Sequence, residues 1–174
     1  IFSLLDEFKA LDSLPDHVNI AKYEQLFTFE SPQGMFDYTL MQYYADGNLS
    51  QLINEQKLTE EQKENLALQL LNGIDFLHQN KVVHRDLKPS NILIHNRVLN
   101  GNKVYIPKIT DFGLSKKANT DKNTHFTNSF AVGTYAYSSP EQLRGEILRF
   151  NTDLWAYGAI VYELFTGKTM FNIE

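Results

Sequence analysis

The sequence predicts an α+β fold in which a strand-rich start gives way to a mostly helical remainder. Two observations carry this. Two strand-like runs, Ile20 to Phe29 and Phe36 to Tyr43, flank the turn-rich Ser31-Pro32-Gln33-Gly34. Farther on, Leu66, Leu70, Ile74 and Leu77 recur at steps of four, four and three, the stripe of a helix with one buried face. A chain of 174 residues can bury one real core, so one domain is the expectation.

In chain order, Ile1 to Leu14 reads as a helix, with Ile1, Leu4, Leu5, Phe8, Leu11 and Leu14 on one apolar arc, and Pro15-Asp16 ends it. After the two strands, Asp46-Gly47-Asn48 breaks the chain and Leu49 to Gln56 forms a short helix. Thr59 with Gln62 makes a capping box that opens the longer striped helix. Short strands follow at Ile92 to Ile94 and Val104 to Thr110, with Asn100-Gly101 as a hairpin turn between them. Residues 116 to 129 are polar and without period, the mark of a mobile loop. The last helix, about Thr152 to Phe165, is apolar nearly all round and is expected inside the core.

Composition narrows the function. Hydrophobic content of 43% and charged content of 21% are those of a soluble globular protein. A net charge of -5 gives no electrostatic reason to expect nucleic acid. The absence of cysteine excludes disulfides, cysteine zinc sites and thiol catalysis, and fits a reducing compartment such as the cytoplasm. No apolar run approaches the roughly 20 residues that span a bilayer. The chain starts at Ile1 without a signal-like segment, so a segment of something longer is expected.

One cluster carries chemistry. His84-Arg85-Asp86-Leu87-Lys88-Pro89-Ser90-Asn91 is followed, after a strand, by Asp111-Phe112-Gly113. A lone Asp or Asn in a loop is usually a turn former and a lone Lys a solvated charge. Eight consecutive positions bracketed by Val82-Val83 and Ile92-Leu93-Ile94 are a different matter. Phosphoryl transfer needs a few anionic or amide metal ligands and a group that orients the attacking hydroxyl, and this cluster contains both.

The chain thereby resembles the protein kinases, whose catalytic loop reads H-R-D-L-x-x-x-N with a D-F-G partner. The resemblance extends to Gly133-Thr134, to Ser139-Pro140-Glu141 (serine for the alanine of A-P-E), and to Asp153 opening the central helix. It implies an incomplete kinase-like fold: residues 1–43 as a remnant of the small β lobe, from its helix to the hinge, and residues 44–174 as the first part of the mainly helical large lobe. It implies Asp86 as the base, Lys88 on the transferring phosphate, and Asn91 and Asp111 on magnesium. Lys88 and Thr134 are those of a serine/threonine kinase. ATP and Mg²⁺ are the implied cofactors and a protein the implied substrate, with no nucleic acid and no membrane segment. Oligomeric state stays open.

Other roles follow from the same resemblance. Glu7 would pair with the ATP-binding lysine. Met41 would be the gatekeeper, Gln42 and the neighbourhood of Tyr44 would meet adenine, and Leu93 would lie under the ring. Leu11, Tyr23, His84 and Phe112 would form a packed column between lobes. Arg85 would pair with a phosphate on Ser129 or Thr127, less so Thr124. Asp153 would receive backbone N–H groups of the catalytic loop, and a later helix would supply an arginine for Glu141.

One departure is the separation of Asn91 from Asp111 by 20 positions, longer than usual, with the excess at Arg97 to Pro107, a lengthened hairpin. A pseudokinase acting as a scaffold, and a small-molecule kinase of the aminoglycoside or choline type, are the alternatives. The second lacks counterparts of Lys88-Pro89, Gly133-Thr134 and Ser139-Pro140-Glu141.

Overall fold

The computed structural model describes residues 14–112, 116–117 and 132–171. The expected helix over residues 1–14, with Glu7 and Leu11, lies outside them except for Leu14, as do Gly113, Thr124, Thr127 and Ser129.

Strands β1 (Tyr23–Ser31) and β2 (Gly34–Met41) form an antiparallel hairpin turning at Pro32 and Gln33. The strand read from Ile20 begins only at Tyr23. Ile20 instead bridges in parallel to Ile109: Ala21 N–H donates to the Ile109 carbonyl (2.8 Å) and Ile109 N–H to the Asn19 carbonyl (2.8 Å). The end of a distant hairpin thus claims backbone groups that β2 would otherwise have paired.

Helix α1 (Leu49–Asn54) starts from an Asn48–Gln51 capping box, and helix α2 (Glu60–Gln79) from the Thr59–Gln62 box. In α2 the stripe of Leu66, Leu70, Ile74 and Leu77 is buried, as the spacing requires. Gly73 lies on the same face. A Cβ there would stand 3.0 Å from Ile109 Cδ1, 3.1 Å from Asn19 Cβ and 3.3 Å from the Asn19 carbonyl oxygen. The helix therefore approaches the 19–20 segment closely because Gly73 has no side chain. Gly73→Val should overpack this contact and lower stability by about 1–3 kcal/mol. A urea midpoint unchanged or raised, at constant slope, would show that the gap is not tight.

Next come β3 (Val82–Val83), a 3-10 turn at Pro89–Asn91, β4 (Ile92–Leu99) and β5 (Asn102–Ile109). β4 and β5 are longer than the short strands expected and pair without interruption from Ile92↔Ile109 to Leu99↔Asn102. At the tip Asn100 and Gly101 both have positive φ (51° and 80°), which matches the type I′ turn that joins antiparallel strands. The lengthened hairpin is tethered along its length. Asp46 accepts from the Asn96 backbone N–H and side-chain amide, Gln62 Nε2 donates to the Lys103 carbonyl (3.1 Å), and Gln69 Nε2 to the Tyr105 carbonyl (2.9 Å).

Lys116–Lys117 forms a two-residue strand, β6, antiparallel to β3, where a loop was expected from residue 116. A second 3-10 segment, Val132–Tyr137, leads to the short α3 (Pro140–Leu143) and to α4 (Phe150–Thr166). α4 buries one face only, through Ala156, Ala159, Ile160 and Leu164. Leu154, Trp155, Tyr162 and Phe165 are 37–47% exposed, so the all-round burial expected of this helix is not found among the described residues. Composition reports that a helix can be buried all round, whereas burial depends on which neighbours reach each face. The core gathers Ile20, α1, the α2 stripe, β3, Leu87, the base of the β4–β5 hairpin (Ile92, Ile94 and Ile109), Phe112 and the inner face of α4.

Candidate active site

The 84–91 loop is hung from three directions. Asp153, 1% exposed in the first turn of α4, accepts the His84 N–H (2.9 Å) and the His78 imidazole (2.8 Å) on Oδ2, and the Arg85 N–H (2.8 Å) on Oδ1. A buried carboxylate requires such partners, and here two of them are the backbone of the loop. Gln142 on α3 donates to the Arg85 carbonyl (2.7 Å). His84 is fully buried. Its Nδ1 accepts the Asp86 N–H (3.2 Å) and its Nε2 bonds the Thr110 carbonyl (2.9 Å), a pattern met by a ring protonated on Nε2. Arg85 sits at φ 73°, in the left-handed region, where its two backbone bonds hold it.

Within this frame the Asp86 carboxylate is aimed. Oδ2 receives Asn91 Nδ2 (3.1 Å) and faces Lys88 Nζ (3.1 Å), while Asn91 Nδ2 also reaches the Asp86 carbonyl (2.9 Å). Oδ1 is buried and has no hydrogen-bond partner among the described residues. A carboxylate with one oxygen fixed and the other unsatisfied keeps a lone pair for one more donor, the position that an incoming hydroxyl would take. Asn91 is buried at the end of the 3-10 turn, where Pro89 fixes the first residue.

Asp111 comes to the same place through the backbone. Ile92 pairs with Ile109, and the Thr110 N–H continues the ladder to the Asn91 carbonyl (3.0 Å), so Asp111 lies one residue beyond a direct bond to Asn91. Its side chain is exposed, its φ is 63°, and no described residue binds its carboxylate. Phe112 next to it is buried against His84, ring centroids 4.9 Å apart. Tyr23 joins the same column through its hydroxyl, 3.2 Å from Thr110 Oγ1. Leu11, the fourth expected member, is not among the described residues.

The donor set fits a hard cation. One carboxylate and one amide oxygen leave most of a magnesium shell to water and phosphate oxygens, the way Mg²⁺ is usually held.

The remaining expected site residues divide. Met41 ends β2 opposite Tyr23, half-buried; Gln42 is exposed; Tyr44 is buried; and Leu93 is half-buried, bridged to Asn48. Gln42 and Tyr44 line a cavity of about 660 Å³, and Met41 and Leu93 are not among its lining residues. Thr134 lies in the 3-10 segment 132–137, and its side chain is outside the described set. Arg85 as a residue is half-buried, with its Nε buried.

Three residues that position the loop were not singled out from sequence as doing so: His78, Gln142 and Thr110. Gln142 alone left a signal, as the fourth residue of the Ser139-Pro140-Glu141-Gln142 capping box. Glu141 in that box accepts Thr152 Oγ1 (2.9 Å) and Asn151 Nδ2 (3.0 Å), partners supplied within the chain. Burial pushes its pKa up, but hydrogen bonds from its own N–H, Thr152 and Ser139, with the nearby Arg144 charge, outweigh this and hold it below 4.5. A depressed carboxylate stabilises the fold above its unfolded pKa and loses that contribution as pH falls through the folded value. Glu141→Gln should therefore flatten the loss of stability below about pH 4.5. An acid limb as steep as that of the wild type would assign the effect elsewhere.

The 84–91 loop thus carries the Asp86 carboxylate and the Asn91 amide, with Asp111 joined to it through the strand backbone. The protein kinase domain family matches residues 2–174, and the chain belongs to that family. It is similar to serine/threonine-protein kinase TIO of Arabidopsis thaliana, 35% identical over 98% of this chain and 12% of that protein. It is equally similar to calcium-dependent protein kinase 4 of Plasmodium falciparum, 35% identical over 98% of this chain and 30% of that one. A chain of the crystal structure of the yeast RNA Pol II CTD kinase CTDK-1 complex superposes with a TM-score of 0.77 at 34% identity, over 98% of this chain and 52% of that chain. The chain thus spans between about an eighth and a third of the curated relatives it matches. No described helix is long and apolar enough to cross a membrane.

Proposed function

We propose that this chain carries the catalytic loop of a serine/threonine protein kinase, which moves the γ-phosphoryl group of ATP to a protein hydroxyl. The observation that carries the reading is Asp86: one oxygen held by Asn91 and Lys88, the other buried and unsatisfied. In this reading Oδ1 accepts the hydrogen bond of the substrate hydroxyl and orients its lone pair for attack. Lys88, beside Oδ2, offers positive charge where the transferring phosphoryl group passes. Asn91 Oδ1 and the Asp111 carboxylate hold magnesium, which when bound with ATP neutralises phosphate charge. Thr134 stands with Lys88 as the second residue favouring serine or threonine substrates. Met41, Gln42, Tyr44, Leu93 and Glu7 form the adenine and phosphate side, with residues 1–43 as small-lobe remnant and 44–174 as large lobe.

Turnover is expected of a longer protein carrying this chain, working in the cytoplasm. The glycine-rich loop that the resemblance assigns to ATP phosphates is not among the 174 residues. Activity would be raised by phosphorylation at Ser129 or Thr127, read by Arg85. The pseudokinase alternative is disfavoured because each visible catalytic position holds a competent residue.

The test is a magnesium-dependence assay on that protein with wild type and Asp111→Asn. The asparagine variant should need more magnesium and turn over at least tenfold more slowly, having lost the only carboxylate assigned to the metal. Equal magnesium curves would remove Asp111 from the metal, and no turnover by the wild type would favour the scaffold.

A further inference from the structure

We propose that the cavity between the loop 14–24 and the β4–β5 hairpin binds a small phosphate monoester with an aromatic or apolar body, its phosphoryl group held by Arg97 and Lys108. The cavity, about 660 Å³, is of the size that takes a compact organic ligand. None of Asp86, Lys88, Asn91 or Asp111 lines it, so it is separate from the transfer centre, although Gln42 and Tyr44 border both it and the proposed adenine side.

The strand register builds its charged wall. Leu93 pairs with Lys108 and Arg97 with Val104, so alternate residues from both strands share one face, and Arg97 and Lys108 lie on it together. Arg97 is there because the hairpin is long. Among the described residues neither cation makes an ion pair. The third cation of the cavity, Lys22, is paired with Asp16 at 2.8 Å, and the other lining carboxylate, Glu24, acts on Lys22 and Tyr44. Burial, reinforced by Arg97, pushes the Lys108 ammonium pKa down, and burial with Lys108 does the same to His17. A row of cations that repel one another is relieved by an anion placed between them.

Phosphate suits this wall better than a carboxylate, since a dianion matches two cations and the guanidinium fork can bind two phosphate oxygens. The rest of the lining suits an organic body. Lys108 lies 5.9 Å from the centroid of the Tyr44 ring, and Ile20 and Val18 complete an apolar surface.

The experiment is calorimetric titration of the protein with phenyl phosphate, beside inorganic phosphate and phenol. Phenyl phosphate should bind with a dissociation constant near or below about 1 mM, tighter than either half alone. Lys108→Gln and Arg97→Gln should each weaken it about tenfold, the loss of one charge-assisted bond, while Lys22→Gln should leave it nearly unchanged. Arg97 is exposed, so its variant should keep the fold and the test does not depend on Lys108→Gln folding. Absence of phenyl phosphate binding at about 10 mM would overturn the proposal. So would binding that ignores both hairpin variants or that responds to Asp111→Asn instead, which would place the ligand at the transfer site.

Discussion

In the longer protein, Asp86→Ala should lower phosphoryl transfer by roughly 10²–10⁴-fold or more while leaving ATP affinity nearly unchanged. The size follows from what the side chain does. Its Oδ1 is buried without a partner among the described residues, and its Oδ2 is held at 3.1 Å from both Asn91 Nδ2 and Lys88 Nζ. Alanine removes the group proposed to orient the attacking hydroxyl and one of the two bonds of Asn91 Nδ2, leaving the one to the residue 86 carbonyl. Asp86→Asn separates these effects: it keeps the size and one acceptor oxygen but loses the charge, so it should fold as the wild type and still be slow. Turnover within threefold of wild type for both variants would take Asp86 out of its role.

The second large effect is on stability. Asp153→Ala should destabilise the fold by about 3–5 kcal/mol, because it strands the buried N–H groups of His84 and Arg85 and the His78 ring together. Asp153→Asn should cost less, since one carbonyl oxygen can still accept the backbone bond of His84 or Arg85. Denaturant unfolding of the three proteins gives the order directly. A cost below about 1 kcal/mol for the alanine variant would mean that the loop is held mainly by Gln142 and the His84–Thr110 bond. Turnover should fall in parallel, since the carboxylate reaches the chemistry only through the loop backbone.

The candidate reacting groups are easy to read in the sequence and their supports are hard to read. Asp86, Lys88, Asn91 and Asp111 were legible because the chemistry restricts residue type at each position and packs four such positions into 26 residues. The α2 stripe was legible because one helix face meets one core. The length of β4 and β5 was not, since Asn96, Arg97, Asn102 and Lys103 show no apolar alternation. Those residues are held as strand by the Asn100-Gly101 turn and by polar tethers from Asp46, Gln62 and Gln69. Ile20 reads as the start of the first strand because the residue it actually bridges, Ile109, is 89 positions away. His78 carries no local mark at all: it is a helix-end histidine whose meaning comes from a carboxylate 75 positions later. Nor could composition say that the Leu154–Trp155 side of α4 is exposed, because a helix does not encode which neighbours cover it.

The account turns on whether Asn91 and Asp111 grip one cation beside the unsatisfied oxygen of Asp86. Anomalous diffraction from crystals of the kinase grown with Mn²⁺ and a non-hydrolysable ATP analogue would decide it. The expected result is a manganese peak coordinated by the Asn91 amide oxygen and the Asp111 carboxylate, with the γ-phosphate facing Asp86. Manganese bound elsewhere, with those two side chains directed apart around bound nucleotide, would contradict it.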